Sequence, residues 1–373
     1  MHHGVFVSGI AERRLRSQHL LGNPFRSAVE AVRWFGAVQS QDYAAAKWAL
    51  AQRTAGATEL ELDRFVDEGA ILRTHAMRPT WHFVVPEDIR WLLDLTSPRL
   101  LSGLAGRYRR LELDEKTLRR AVFLFERSLR DGRYLTRPEL GEVLTAARIS
   151  PAGQRLAHLL MFAEAKAIIV NGPRRGKQMT YGLLAERAPT VHSLDRDTAL
   201  AELTARYFRS HGPAQITDFA WWSGLTVAEI KQGLALVGTK LERESIDGKE
   251  YWFSAESNAG IAPSLIAHLL PNFDEYTVAY RDRSAALHAE VAFDPSLFAF
   301  YRAAAPGTGI ISNVVTIGGM VRGSWRRTIG PRDVRIDVWL LGALKRTEVA
   351  ALKSVAAEYG RFVERAVDLR ISN

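Results

Sequence analysis

Apolar residues recur first at helical and then at strand spacing, three times along residues 1–260 of the chain. The first stretch predicts helices over 27–34 and 44–54, with Thr58 capping a third. Two short strands follow at 71–75 and 79–85. Helices followed by a hairpin, in this order, are typical of a winged helix.

The second stretch repeats this order. Helices are predicted over 114–130 and 153–166, and Thr136 is a suitable N-cap for the helix between them. A hairpin is predicted from strands at 167–170 and 178–181, because the turn that joins them contains Asn-Gly and a second glycine.

The third stretch gives the clearest pattern. Helices are predicted over 198–210 and 216–222, and Thr226 opens another helix through a capping box with a glutamate three residues later. Strands at 241–244 and 250–253 flank Asp-Gly, which indicates a hairpin. The three stretches together predict three tandem winged-helix units.

After about residue 265 the pattern changes to short strands separated by Gly, Pro and Asn. Strands are predicted at 269–271, 276–280, 309–317, 320–321, 323–325 and 334–341, with a closing helix at 347–359. We therefore expect an α+β protein in which a small β-barrel-like domain follows the three units. The expected boundaries are 1–100, 101–193, 194–260 and 261–373.

Composition narrows the chemistry. The chain has 373 residues, of which 47% are hydrophobic and 24% charged, so a folded protein of several modules is expected. It contains no cysteine, which excludes disulfides, thiolate metal sites and a cysteine nucleophile. The absence of a long apolar run and of a secretory signal pattern predicts a soluble, cytoplasmic protein without membrane contact.

The chain is basic, with 50 Lys and Arg against 41 Asp and Glu and a formal charge of +9. Such a surplus attracts phosphates, anionic lipids or acidic substrates. Many proteins are mildly basic without binding nucleic acid, so charge alone favours DNA only modestly.

Motifs for metal or nucleotide chemistry are missing. None of the ten histidines stands in an HExxH or comparable ligand spacing, so no metal is expected. Neither a GxSxG elbow nor a phosphate-binding GxxxxGK[ST] loop occurs. The sequence predicts no cofactor.

Two glutamines in the connector between the first predicted helices are candidates for catalysis. If the connector is extended, Gln39 and Gln41 point to the same side and present paired amides, and Asp42 could cap the next helix. Each amide could hold a water or line a charged sugar. The alternative is that both glutamines simply bond the backbone, and their spacing alone favours that alternative.

Arginine, histidine and tryptophan alternate along the first predicted hairpin, in a pattern that suits phosphate contact and base stacking. The residues are Arg73, His75, Arg78, Trp81 and His82. The alternative is a half-buried strand pair with packed aromatic residues and solvated polar ones. The sequence does not separate the two.

Two further basic clusters are candidates for DNA contact. Arg174, Arg175 and Lys177 occupy the turn of the second hairpin, where a solvated turn is nearly as good an explanation. Arginines surround a tryptophan near the C-terminus, at Arg322, Trp325, Arg326 and Arg327. The acidic pair Asp274-Glu275 could orient an arginine or act in catalysis, but a structural salt bridge is favoured.

Four segments together resemble a known family. They are 38–41, 72–82, 270–276 and 280–283. In this order they are similar to the bacterial winged-helix DNA glycosylases typified by AlkZ and YcaQ, over about residues 15–346. The resemblance implies three tandem winged helices and a small β-barrel around a basic channel. It also implies excision of alkylated purines and unhooking of interstrand crosslinks, without a metal.

The resemblance favours a catalytic role for the two glutamines over the backbone-bonding alternative. The family signature is Gln, an aliphatic residue, and then Gln or Asp; Gln39 and Gln41 match its outer positions, and Ser40 replaces the aliphatic residue. Pro79 replaces the usual hairpin glycine, while His82 is kept. The implied roles of the glutamines are to stabilise an oxocarbenium-like sugar and to place a water, with Asp42 assisting.

We therefore expect a monofunctional DNA glycosylase that acts on N3- or N7-alkylated purines in double-stranded DNA. The alternative is a non-catalytic winged-helix DNA-binding protein or transcription regulator. Regulators usually bind as symmetric dimers, whereas three dissimilar units in one chain predict a monomer. A third option, a structural or small-molecule-binding protein, predicts no salt-dependent DNA affinity.

Overall fold

The computed structural model describes residues 3–190, 192–255, 266–287 and 313–372. The first group of elements comprises four helices and three short strands. They are α1 (His3–Ser17), α2 (Ala28–Phe35), β1 (Val38–Gln39), α3 (Tyr43–Ala51), α4 (Glu59–Glu68), β2 (Leu72–His75) and β3 (Trp81–Val84). The strands form a sheet in the order β1-β3-β2, and β2–β3 is hereafter the first hairpin.

A long helix leads into the second group, which carries the second hairpin (β5–β6). The elements are α5 (Ile89–Arg110), α6 (Glu115–Leu129), β4 (Leu135–Thr136), α7 (Arg137–Ala146), α8 (Arg155–Ala165), β5 (Ile169–Asn171), β6 (Thr180–Leu183) and α9 (Leu184–Arg187). The third group carries the third hairpin (β7–β8). Its elements are α10 (Arg196–His211), α11 (Ile216–Ser223), α12 (Val227–Val237), β7 (Leu241–Ile246) and β8 (Lys249–Ser254).

The last group builds one five-stranded sheet with a helix packed against it. Its elements are β9 (Ala267–Leu270), α13 (Glu275–Val278), β10 (Val314–Ile317), β11 (Met320–Ile329), β12 (Asp333–Leu340), α14 (Arg346–Phe362) and β13 (Ala366–Ser372). The strand order is β13-β12-β11-β10-β9, and β13 runs parallel to β12. The sheet has two edges and is open, so the predicted β-barrel is wrong.

The predicted helix starts are confirmed where a side chain caps the helix. Thr58 accepts a hydrogen bond from the backbone of Glu61, and Thr136 and Thr226 each form a complete capping box. The α+β class is also confirmed. These starts were predictable because a cap and its partner lie within one helical turn.

Three predicted strands differ from the structure. Residues 276–280, predicted as a strand, begin within the short helix α13, which Asp274 caps by accepting a hydrogen bond from Tyr276. The strands predicted at 320–321 and 323–325 belong to the single strand β11. Of the strand predicted at 309–317, residues 309–312 lie outside the described ranges.

The sheet of the first hairpin lies between the two largest hydrophobic cores. On one side, Val38 and Phe83 pack with the C-terminal sheet and α14, in a core that contains Trp48 and Trp325. On the other side, β2 and β3 contribute to a core formed mainly by α5, α10, α11 and α12. The first and last predicted domains therefore share a core. Within the described ranges, no helix is both long and apolar enough to cross a bilayer.

Candidate functional site

A row of three buried polar side chains crosses the central sheet. Gln39 on β1 pairs with His82 on β3, which pairs with Thr74 on β2. Residues directly opposite each other in antiparallel strands project to the same face. All three are buried, and this polar row brings together one predicted catalytic residue and one residue of the predicted DNA-binding hairpin.

Gln39 is held at two points. Its backbone N–H donates to Oε1 of Glu275 at 2.6 Å, and its side-chain Oε1 accepts from Nη2 of Arg78 at 2.8 Å. A guanidinium can only donate hydrogen bonds, so the amide of Gln39 must turn its oxygen towards Arg78 and its nitrogen away. The carbonyl oxygen keeps a second lone pair for another partner.

Gln41 and Asp42 follow on the exposed end of the same segment. The side-chain Oε1 of Gln41 accepts from the backbone N–H of Trp81 at 3.3 Å. Asp42 caps α3 by accepting from the backbone of Ala45 at 3.0 Å, as predicted. The amide oxygens of both glutamines are thus held by the turn side of the first hairpin.

A buried carboxylate lies behind Gln39. Glu275 accepts hydrogen bonds from Nε1 of Trp222 at 2.8 Å and contacts Nε2 of His211 at 3.2 Å. Burial alone would raise the pKa of Glu275, but the hydrogen bonds from His211, Gln39 and Trp222 hold its pKa below the ordinary value. Glu275 therefore remains an anion that fixes the end of β1.

The neighbouring carboxylate has a structural role. Asp274 accepts two hydrogen bonds from the guanidinium of Arg53, at 2.8 and 2.9 Å, and both side chains are buried. For this acidic pair the sequence favours a structural salt bridge over orienting an arginine or acting in catalysis. Asp274 forms the salt bridge, and Glu275 contacts a candidate catalytic residue that the sequence did not connect to it.

His82 lies inside the protein beside Gln39. Its side chain is fully buried, and neither ring nitrogen makes a hydrogen bond within the described structure. Burial, reinforced by the charge of Arg78, lowers the pKa of His82 to about 3. The histidine is therefore neutral at physiological pH, and it does not belong to a surface that DNA could contact.

The opposite face of the sheet supports the 40–41 segment. Arg73 donates from Nε and Nη2 to the carbonyl oxygen of Ser40 at 3.1 and 2.9 Å, and its guanidinium lies 4.4 Å from the ring centre of Trp81. Nδ1 of His75 lies 2.5 Å from a carboxylate oxygen of Glu164. Arg73 and His75 are both buried, so their contacts hold the loop rather than face solvent.

An aromatic side chain that sequence analysis missed lies next to Arg78. The guanidinium of Arg78 is 5.8 Å from the ring centre of Trp221, which is 43% exposed. The indole Nε1 donates to the backbone oxygen of Val278 at 2.9 Å, which fixes the ring. The only signal in the sequence is the Trp-Trp pair at the end of α11, whose second member is buried.

Comparison with known proteins agrees with this architecture. A family model for "DNA glycosylase AlkZ-like" matches residues 32–362. The chain belongs to the AlkZ-like DNA glycosylase family. The resemblance inferred from the four sequence segments is therefore confirmed for the family.

One known protein and one solved structure are similar to this AlkZ-like chain over most of its length. The interstrand DNA cross-link repair glycosylase of Streptomyces sahachiroi is 26% identical over 370 residues, which cover 93% of this chain and 94% of that protein. The solved structure of Streptomyces sahachiroi DNA glycosylase AlkZ matches 98% of this chain and 99% of its own, with a TM-score of 0.77 and 24% identity. The second likeness shows a shared fold.

In the AlkZ-like chain, the turn of the second hairpin is partly neutralised by ion pairs. Arg174 pairs with Asp63 at 2.7 Å and Asp67 at 2.9 Å on α4, while Arg175 pairs with Glu139 on α7 at 2.6 Å. Lys177 is exposed and makes no ion pair with any described residue. Lys177 is thus the cation of this turn best placed for a phosphate.

The C-terminal basic cluster is divided between surface and core. Trp325 is fully buried, and its Nε1 donates to the backbone oxygen of Leu270 at 2.8 Å, so it is a core residue rather than a stacking platform. The arginines face other partners: Arg322 pairs with Glu348 and Arg326 with Asp337, each at 3.5 Å, and Arg327 lies over Tyr359.

The described ranges contain no cluster of three His, Asp or Glu side chains that could hold a metal ion. The candidate site therefore consists of two amides, one guanidinium, one buried carboxylate and one exposed indole. The amide and carboxylate oxygens can accept hydrogen bonds from a water and stabilise positive charge, the guanidinium can donate to an anion, and the indole can stack on a base.

Proposed function

We propose that this protein is a DNA glycosylase that hydrolyses the N-glycosidic bond of purines alkylated at N3 or N7. We further propose that it unhooks interstrand crosslinks, the activity named for the Streptomyces sahachiroi relative. Membership of the AlkZ-like family supports the reaction class. The observation that carries the assignment is that Gln39 and Gln41 lie on one segment beside the turn of the first hairpin, where Glu275 fixes the backbone of Gln39 and the backbone N–H of Trp81 binds the amide oxygen of Gln41.

The chemistry suits amides. An N3- or N7-alkylated purine is already a cation, so it leaves with the electrons of its bond to C1′ and needs no strong acid. The sugar becomes oxocarbenium-like, a water forms the new bond to C1′, and that water then releases a proton. Preorganised amide oxygens can stabilise the cationic sugar and orient the water. Asp42, exposed beside Gln41, is the proposed acceptor of the proton.

DNA is the proposed partner, bound by a monomer. Three winged-helix units, one around each of the hairpins and extending over 1–100, 101–193 and 194–260, would grip the duplex, followed by the C-terminal region 261–373. Lys177 and Trp221 are the proposed contacts to a phosphate and to a base, respectively, because each is exposed.

The test is base release from duplex DNA that contains N7-methylguanine and, in parallel, a nitrogen-mustard crosslink. Wild type is compared with Gln39→Ala and Gln41→Ala, each checked first for folding and DNA binding. We expect each variant to lose about 100-fold or more in single-turnover rate, as when one preorganised transition-state contact is removed. Gln232, an exposed glutamine bonded to Asp197, provides the matched control Gln232→Ala, which should keep the wild-type rate.

Tight, salt-dependent DNA binding by wild type without release from either substrate would contradict the proposal. It would instead support the non-catalytic DNA-binding protein. Release that survives both glutamine substitutions would keep the glycosylase but move its chemistry to other residues.

A further inference from the structure

Among the described residues, little negative charge lies close to the guanidinium of Arg78. Its single hydrogen bond within the described ranges goes to the amide oxygen of Gln39, and its Nε is buried without a partner. No carboxylate among the described residues forms an ion pair with it, because Glu275 acts on it only at longer range. Partial burial of a charge without an ion pair is costly, so Arg78 has the capacity for an anionic partner beyond those that the described residues provide.

Arg78 is one of the residues that line a groove next to the first hairpin. The groove has a volume of about 260 Å³ and lies between the turn of the first hairpin and α5. Arg78 and Arg99 contribute the charges of its lining, and none of its lining residues is acidic. Pro79, Gly103 and Gly224 also line it, and Gly103 leaves open space where a side chain would begin. A phosphodiester can therefore approach α5 closely between two arginines.

The contact between Arg78 and Gln39 conflicts with the proposed chemistry. An amide oxygen that stabilises an oxocarbenium-like sugar should not carry a guanidinium on the same atom, since the two cations would repel each other at short range. The backbone of Gln39 does not depend on Arg78 for its position. It is fixed independently by the pairing of β1 with β3 and by Glu275.

We propose that Arg78 is a latch on Gln39 that a DNA phosphate opens. In the free protein Arg78 occupies the amide oxygen of Gln39. When DNA binds, a backbone phosphate enters the groove between Arg78 and Arg99 and accepts hydrogen bonds from the guanidinium of Arg78. The amide oxygen of Gln39 is then free to face the sugar. The inference rests on the proposed glycosylase function and adds an anion site and a coupling between binding and catalysis.

The latch differs measurably from a role for Arg78 in positioning Gln39. If Arg78 positions Gln39, replacing Arg78 should lower the rate of the chemical step. If Arg78 is a latch, the replacement should weaken DNA binding instead. Arg78→Met removes the charge at nearly constant length, and Arg78→Lys restores it. The control is Arg370→Met, because Arg370 is an exposed arginine outside the three proposed winged-helix units and pairs with Asp368 at 2.9 Å.

The experiment measures the Kd for a duplex at several salt concentrations and the single-turnover release rate at saturating DNA. For Arg78→Met we expect the slope of log K against log salt to become shallower by about 0.9, with affinity roughly fivefold weaker at 0.15 M salt. The saturated release rate should stay within about threefold of wild type. Arg99→Met should show the same shallower slope, Arg78→Lys should restore the wild-type slope, and Arg370→Met should match wild type.

An unchanged salt slope in Arg78→Met overturns the proposal. So does a fall of about tenfold or more in the saturated rate, the loss expected when a catalytic group is misplaced. A wild type that releases no base from either substrate contradicts the proposed function and, with it, the coupling. The phosphate site is still tested in that event, because the salt slope is measured on undamaged DNA. If Arg78→Met does not fold, Arg99→Met carries the binding test.

Discussion

The first and third hairpins carry similar side chains in opposite surroundings. Each places an arginine over a tryptophan at nearly the same separation, 5.8 Å for Arg78 with Trp221 and 5.9 Å for Arg243 with Trp252. Arg243 lies on the mostly exposed strand β7 and is ion-paired with Glu250. Arg78, in contrast, has no ion pair with a described residue. The same residue types are therefore solvated in one hairpin and functional candidates in the other.

Position between cores explains the difference. The first hairpin is covered on both faces, so its polar groups must find partners from distant segments. Arg73 bonds Ser40 and Asn171, and His75 bonds Glu164. Beside the hairpin, Gln39 is bound by Glu275 of the 274–275 segment, which the buried pair Asp274–Arg53 anchors to the end of α3. The third hairpin exposes four consecutive residues of β7, so their polar side chains remain accessible to solvent.

The largest expected effect tests this anchor. Asp274→Ala leaves the guanidinium of Arg53 buried without its carboxylate, and breaking a buried ion pair in this way costs about 3–5 kcal/mol of unfolding free energy. Urea unfolding followed by circular dichroism measures the loss. A change below about 1 kcal/mol, the range of exposed pairs, would mean that the 274–275 segment is not an anchor.

His82 provides the next largest effect. Its pKa is about 3 in the folded state and about 6.5 when unfolded, so between these values the unfolded chain binds the extra proton. Stability is therefore complete above pH 6.5 and falls by roughly 1.4 kcal/mol per pH unit below it. His82→Gln removes this dependence, and the unfolding free energies at pH 6.5 and 4.5 should differ less than in wild type.

Two comparisons sharpen the histidine test. His268 is also buried and has a pKa lowered to about 4, so part of the acid sensitivity remains in His82→Gln. His192 is exposed, and His192→Gln should keep the wild-type dependence. An equal pH dependence in wild type and His82→Gln would show that His82 is not buried in its neutral form.

Local signals and distant contacts explain what the sequence could predict. The caps at Thr58, Thr136 and Thr226 depend on residues three positions away, so the helix starts were readable. The contact between Glu275 and Gln39 joins residues 236 positions apart, and nothing in either segment indicates it. Strand β13 was missed for a similar reason, because its parallel pairing with β12 bridges a whole helix.

The site itself was predictable only in part. The resemblance to the family selected Gln39 and Gln41, but residue type could not show that the histidine of the hairpin is buried. Trp325 was likewise expected at the surface because arginines surround it. On β11, successive residues face opposite sides of the sheet, so the exposed Arg326 can directly follow the buried Trp325.

At the second hairpin, Lys177 tests whether an exposed cation without an ion pair contributes to DNA binding. It is the exposed cation of that turn without an ion pair in the described structure, so it should contribute about one released counterion to DNA binding. Lys177→Ala should weaken affinity roughly fivefold at 0.15 M salt and make the salt slope shallower by about 0.9. Lys353→Ala, on the exposed face of α14, is the control; equal slopes in the two variants would exclude the turn from the interface.

The smallest effect is expected at the third hairpin. Arg243 and Glu250 are 3.3 Å apart with side chains 67% and 49% exposed, so water already solvates both charges. Arg243→Ala should change the unfolding free energy by no more than about 0.5 kcal/mol, and added salt should reduce even that. The measurement is the same urea titration used for Asp274→Ala, run at low and high salt. A loss comparable to that of Asp274→Ala would remove the contrast between the two hairpins, because burial would then no longer explain why one ion pair matters and the other does not.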